Sequence, residues 1–335
     1  MKISRIVGLS FLIIGAFVGG GFASAKEIVV YYSQYGVAGI IFCILSGILL
    51  FYLTRMFLML GKNNSNNYCY TAFIFGKKYN FKSILILCNF VFVASMFAGI
   101  YELGEIFKPG FGIYFQITTV ILSIILLLKG IKGIEKLNML LIPILLLSIT
   151  LVVLFSYGNY SVGIAESDYF GGLINSGLYI FFNILALAVF LIEIGKYYNY
   201  DEIKKASIIS TIILTSVLLV LSTFFVVYYD TMQSISLPIV LLAFNISKYI
   251  GYFLLFIVYI GMFTTLLSSA YSIKQFYASK FSDSIAAILT LIIGFVFSFF
   301  SFEKIVTKFY VLLGVVGLLF CTYVFCTKKV FVQKS

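Results

Sequence analysis

Gly15-Ala16-Phe17-Val18-Gly19-Gly20-Gly21 lies in the middle of the first apolar stretch long enough to cross a membrane. A helix facing lipid keeps every backbone N–H and C=O bonded within itself, because hydrocarbon offers no substitute partner. Four glycines in seven residues weaken that helix, each by about 1 kcal/mol relative to alanine. Such a stretch persists only where the released backbone faces protein, water or a ligand. Two readings follow. The glycines break the helix near the bilayer midplane, as discontinuous helices do around the solute and ion sites of secondary transporters. Alternatively, they let a neighbouring helix approach closely, as small-xxx-small patterns do. The Lys26–Glu27 pair just beyond is harder to reconcile with packing alone, and a break between Ala16 and Gly21 is the expectation.

Composition sets the class. Hydrophobic residues make up 62% of the 335-residue chain, charged residues only 10%, and the mean hydropathy is +1.12. A soluble domain carries about 25% charged residues, so an all-α integral membrane protein is expected. The first apolar stretch lacks a small-residue cleavage site and runs straight into the glycines, so no cleavable signal peptide is predicted. Five scattered cysteines show neither metal spacing nor a disulfide framework. Histidine is absent, which removes imidazole from any proton relay or zinc site. With no catalytic Ser or Cys constellation and no nucleotide-binding loop, an enzyme is not expected.

Ten apolar segments, near 5–33, 37–58, 83–104, 112–128, 137–157, 171–194, 206–229, 242–270, 284–301 and 306–326, are each long enough to cross about 30 Å of hydrocarbon. With the N-terminus inside, 18 of the 23 Lys and Arg fall in inside loops. Outside fall only Lys108, Lys248, Lys304 and Lys308, with Lys26 within a span. A wrong count would scramble this asymmetry, so the charges predict ten spans with both termini cytoplasmic. The net charge of +11 therefore reads as orientation and attraction to anionic lipid, and no nucleic acid is expected. The chain reads as one transmembrane domain, 1–335. Residues 5–157 and 171–326 hold five spans each, and an odd number per half forces the halves into opposite orientations, the geometry of an inverted repeat. Asn63–Tyr79 reads as an interfacial helix, and Thr231–Leu241, with Pro238, as an outer re-entrant or lid segment.

The run from Gly15 to Glu27 resembles the GAxxGAGFASGQE signature of the YkvI-like bacterial membrane proteins. Met96-Phe97-Ala98-Gly99 with Glu102, the stretch Gly130-Ile131-Lys132-Gly133-Ile134 through Asn138 and Pro143, and Tyr179–Asn183 are similar to further motifs of that family. The resemblance implies a LeuT-like fold of the amino acid–polyamine–organocation superfamily: ten transmembrane helices in a 5+5 inverted repeat, with discontinuous first and sixth helices. It also implies a sodium site between the first and eighth spans. There the carbonyls of Gly15, Val18 and Gly261 and the hydroxyls of Thr264 and Thr265 would be the ligands, since Gly261-Met262-Phe263-Thr264-Thr265 is similar to the superfamily's A-x-x-T-S pattern. Oxygen ligands suit a hard cation. A second common sodium site uses an Asn where this chain has Phe22, and is not expected. Proton-coupled relatives carry a fifth-span Lys, whereas 138–155 has no ionisable residue, which favours Na⁺ as the coupling ion. No other cofactor is expected.

Ionisable groups within spans need partners. Glu27, which matches the family signature, is expected to line the outer vestibule and pair with a substrate amine or a gate. The alternative is that Glu27 and Lys26 both reach to the headgroups. Glu102 reads as an interfacial charge and Glu193 as a local ion pair with Lys196. Asn183, mid-span, can hydrogen-bond either end of a zwitterion. Together these readings predict a secondary transporter of the bacterial cytoplasmic membrane that moves a small amino-acid-like solute by alternating access. The amides of Gly19, Gly20 and Gly21 would hold a carboxylate, while Phe22 and Phe182 close over the ligand. The alternatives are a transporter-fold solute sensor with little flux, and coupling to H⁺ rather than Na⁺.

Overall fold

The computed structural model describes residues 2–63, 81–277, 282–296, 298 and 302–327. The expected interfacial helix lies almost wholly outside the described residues. Among these residues the chain is helical, with one isolated bridge between Gly163 and Tyr228. In chain order the helices are α1 (Lys2–Phe17), α2 (Gly20–Ala23), α3 (Lys26–Tyr31), α4 (Gly36–Asn63), α5 (Phe81–Phe107), α6 (Gly112–Ser156) and α7 (Tyr169–Gly195). They continue with α8 (Tyr200–Val227), α9 (Tyr229–Met232), α10 (Pro238–Ile246), α11 (Lys248–Tyr277), α12 (Asp283–Val296), α13 (Phe302–Lys304) and α14 (Tyr310–Thr327). A π-helical turn, Ile305–Phe309, separates the last two.

Seven helical stretches among the described residues are long and apolar enough to cross a membrane, and Ile3–Phe17 and Ser284–Val296 are shorter apolar helices. The 45 residues of α6 would measure about 67 Å if straight, more than twice the hydrocarbon thickness. They divide at Gly130, whose φ of 68° leaves the helical region. Glycine alone takes that conformation without a Cβ penalty.

The first span breaks where the glycines predicted. Helix α1 stops at Phe17, Gly19 is extended (φ −77°, ψ −176°), and a single turn resumes at Gly20. A second interruption follows at Ala25, which has a left-handed φ of 67°. The carbonyl released there does not go unmet: Ser24 O accepts from Ile239 N of α10 at 3.1 Å. The segment read as a lid thus includes the start of a helix that caps the broken one.

The sixth span departs from expectation, because α7 is continuous across its 27 residues. Tyr179–Asn183 holds no glycine or proline to release its backbone. Asn183 Nδ2 donates to Tyr179 O one turn back, at 3.0 Å, bonding within the helix rather than opening it. Close packing holds α7 in place: a Cβ on Gly61 of α4 would strike Ile192 O, and one on Gly195 would strike Leu58 O.

Candidate functional site

The break in the first span aims backbone oxygens at α11. In an unbroken helix Gly15 O would accept from the Gly19 amide, but that amide turns to Phe17 O at 2.8 Å. The Gly15 carbonyl instead accepts from Thr264 Oγ1 at 3.2 Å and from Thr265 Oγ1 at 3.4 Å. Thr264 Oγ1 also lies 3.1 Å from Gly261 O, and Val18 O lies 3.7 Å from where a Cβ on Gly261 would stand. Of the five residues expected to hold a cation, Gly15, Gly261, Thr264 and Thr265 are therefore joined through their oxygens, and Val18 O lies beside Gly261. Oxygens ringing a hard cation at about 2.4 Å, a distance typical of Ca²⁺, stand about 3.4 Å apart at right angles, and Na⁺ is of similar size. The observed spacings fit that arrangement. All five donors are neutral, and no three His, Cys, Asp or Glu come together among the described residues, so the set suits a monovalent rather than a multivalent ion.

The residues expected to bind solute sit just beyond the break. Of the glycine amides, that of Gly19 is engaged with Phe17 O, and that of Gly20 donates to Met96 Sδ at 3.3 Å. They are not free as expected, because a one-turn helix packs tightly against its neighbours: a Cβ on Gly20 would stand 2.7 Å from Met262 Cγ. Phe22 is buried and borders, with Phe17, Ser46 and Tyr179, a gap of about 10 Å³, room for one water at most. Glu27 is 2% exposed; its carboxylate lies against Gly21, and Tyr179 supplies the neighbouring hydroxyl. Neither Glu27 Oε2 nor the Tyr179 hydroxyl has a partner in hydrogen-bonding geometry. Phe182 is fully buried, its ring centroid 4.6 Å from that of Tyr310 and 5.3 Å from that of Tyr179. Asn183 is buried but bonded within its own helix.

Both ends of the bundle are latched. At one end Lys26, expected to be at the headgroups if not paired, is 1% exposed. Its Nζ meets Glu303 Oε1 at 2.9 Å and Gln233 O at 3.0 Å. Nearby, Glu102 Oε1 accepts from Phe302 N at 3.3 Å, so this carboxylate caps α13 rather than standing alone. Tyr31 donates to Val306 O at 3.0 Å, within the π-helical turn that begins the last span. At the opposite end Arg5 pairs with Glu202 at 2.9 Å and donates to Tyr197 O at 2.6 Å. Tyr198 donates to Glu135 at 3.0 Å. Burial and that carboxylate hold the Tyr198 hydroxyl above the ordinary tyrosine range, so it stays a donor. Glu193 pairs with Lys196 at 2.8 Å, as its spacing predicted. Sequence reasoning missed Glu303 and Gln233, which contact Lys26 from 277 and 207 positions away, and Glu135, which lies 63 positions from Tyr198; such separations leave no local pattern.

Crevices flank both latches. One of about 450 Å³ is bounded by Glu102, Glu105, Ser236 and Phe244, and one of about 400 Å³ by Arg5, Lys129, Lys132, Glu135 and Tyr271.

Comparison with known proteins places this geometry. No family model matches the chain. The uncharacterized membrane protein YkvI of Bacillus subtilis (strain 168) is 26% identical over 339 residues, 96% of this chain and 95% of the relative. Among solved structures, MhsT in complex with L-phenylalanine superposes with a TM-score of 0.66 at 16% identity, covering 94% of this chain and 88% of that one. Mhp1, a nucleobase-cation-symport-1 family transporter in a closed conformation with bromovinylhydantoin bound, gives 0.60 at 14%, covering 96% and 78%. A Na⁺-coupled sialic acid symporter in a substrate-bound outward-open state gives 0.57 at 16%, covering 98% and 79%. The chain resembles YkvI from end to end, and its fold is LeuT-like. For this YkvI-like chain the expected all-α, LeuT-like fold thus holds. Seven helical stretches among the described residues are long and apolar enough to span, against the ten expected, and the unbroken α7 departs from the expected pattern.

Proposed function

We propose that the chain is a secondary transporter that moves a small amino-acid-like solute by alternating access, with Na⁺ bound at the break in the first span. One observation carries this reading: the Gly15 carbonyl, freed by the break, meets the Thr264 and Thr265 hydroxyls of α11, and Thr264 Oγ1 in turn meets Gly261 O. A cation there holds α1 to α11, and any difference in its affinity between two conformations biases their populations. Phe22, Phe182 and the backbone of Gly19–Gly21 would enclose the solute, whose carboxylate displaces Met96 from the Gly20 amide, since a thioether is a weak acceptor. An amine on the solute would meet Glu27, and Asn183 would turn toward it. The Lys26 and Arg5 latches would open in alternation, joining the central site to one crevice or the other. The inverted-repeat reading of 5–157 and 171–326 accords with that motion, and the loop charges support a cytoplasmic-membrane location with both termini inside.

A second reading, with H⁺ as the coupled ion, is favoured by Glu27 alone. Its carboxyl is buried within the first span, and intramembrane carboxyls mark proton pathways as well as solute sites. Uptake of labelled amino acids and amines into proteoliposomes tests both. Accumulation driven by an inward Na⁺ gradient supports the first reading, and accumulation driven only by a pH gradient supports the second. Saturable binding without flux would instead make the protein a sensor.

A further inference from the structure

Asn138, in the second half of α6, is fully buried, and neither its Oδ1 nor its Nδ2 has a hydrogen-bond partner among the described residues. An amide left unpaired in an apolar interior is strongly unfavourable, and an isosteric Leu would pack there without that penalty. The position of the amide explains its presence. A Cβ on Gly15 would stand 2.5 Å from Asn138 Nδ2, 2.6 Å from Cγ and 3.0 Å from Oδ1. The whole amide face therefore lies against the residue whose carbonyl meets Thr264 and Thr265. Its oxygen and nitrogen exchange by a flip about the last torsion, so either can be the atom set against Gly15.

We propose that Asn138 belongs to the cation site and that its side-chain carbonyl supplies an oxygen ligand from α6, beside those of the first span and α11. The proposal rests on the reading of the break as a cation site. It gives the buried amide the partner that no protein group provides. It also explains why residue 15 has no side chain, since any Cβ would push the amide away. The site then joins three elements, so the second half of α6 responds to cation occupancy along with α1 and α11.

The test is the Na⁺ dependence of thermal unfolding of the purified full chain in detergent, with choline chloride at equal ionic strength as the control. Wild type should show a Na⁺-specific rise in Tm that saturates. Asn138→Leu should unfold in choline at or above the wild-type temperature, because an unpaired polar group is gone, and need at least about tenfold more Na⁺ for half-saturation. Asn138→Asp keeps an oxygen and adds charge, so it should need less Na⁺ than wild type. Unchanged half-saturation in Asn138→Leu would overturn the proposal and leave the amide a partner of buried water. If Asn138→Leu fails to fold, an unchanged half-saturation in Asn138→Asp overturns it equally. Absence of any Na⁺-specific shift in wild type would overturn the cation-site reading itself, and this proposal with it.

Discussion

Lys26 Nζ lies 2.9 Å from Glu303 Oε1, yet the two side chains are buried very unequally, 1% exposed against 43%. The pair ties the part of the first span beyond its break to α13, and the bond from Lys26 to Gln233 O adds the connection before α10. Removing one partner of such a pair is not symmetric. Loss of Glu303 leaves an ammonium in a dry site, whereas loss of Lys26 leaves a carboxylate that water already reaches. Glu303→Ala should therefore destabilise by about 2 kcal/mol and Lys26→Met by less than about 1 kcal/mol. The double variant should recover part of the larger loss. Denaturant unfolding in detergent measures all three, and equal losses in the two single variants would contradict the asymmetry.

The parts of the site legible in the sequence are those written in local pattern. Gly15 with Gly19–Gly21 predicts the break because helix propensity is a near-neighbour property. Gly261, Thr264 and Thr265 share one face because three and four residues make a helical turn. Lys26 was not legible, since its partner lies 277 residues away and its burial depends on α13. The sixth span fails for the opposite reason. A discontinuity there was implied by resemblance, whereas Tyr179–Asn183 contains nothing that would break a helix, and α7 is continuous. Asn138 stood in a motif, but its significance lies in contact with Gly15, which only the packed structure supplies.

Glu27 sets its carboxylate against Gly21, and its Oε2 has no hydrogen-bond partner among the described residues. Glu27→Gln keeps its volume and an acceptor while removing the charge. If Glu27 meets a solute amine, this change should weaken solute binding or uptake at least ~10-fold, about 1.4 kcal/mol. The loss should be largest for solutes with an amine and small for analogues without one. Equal losses for both would assign Glu27 to the scaffold rather than to recognition.

The loop charges predict topology independently of the site. Single cysteines placed near Asn159 and near Asn63, on a background with all five native cysteines replaced, should react with an impermeant thiol reagent from opposite faces of the membrane. Asn159 should label from outside and Asn63 from inside. Labelling of both from one side would contradict three crossings between them, one by α5 and two by the halves of α6 on either side of Gly130.

At the opposite end, Arg5 joins α1 to the first turn of α8 through Glu202 and to the turn before it through Tyr197 O. If this latch closes the cytoplasmic side, Arg5→Ala should raise the labelling rate of a cysteine introduced at Ser10, buried on the same helix, by roughly tenfold. An unchanged rate would show that closure there depends on other contacts.

The central claim is that the Gly15 carbonyl and the α11 hydroxyls hold a coupling Na⁺, and equilibrium binding of radiolabelled Na⁺ to the purified protein tests it most directly. Thr264→Val with Thr265→Val keeps both side-chain shapes and removes both hydroxyl oxygens. Wild type should bind Na⁺ saturably, and the double variant should remain folded while its affinity falls at least about tenfold. Undiminished Na⁺ binding by the double variant, or none by wild type, would contradict the account.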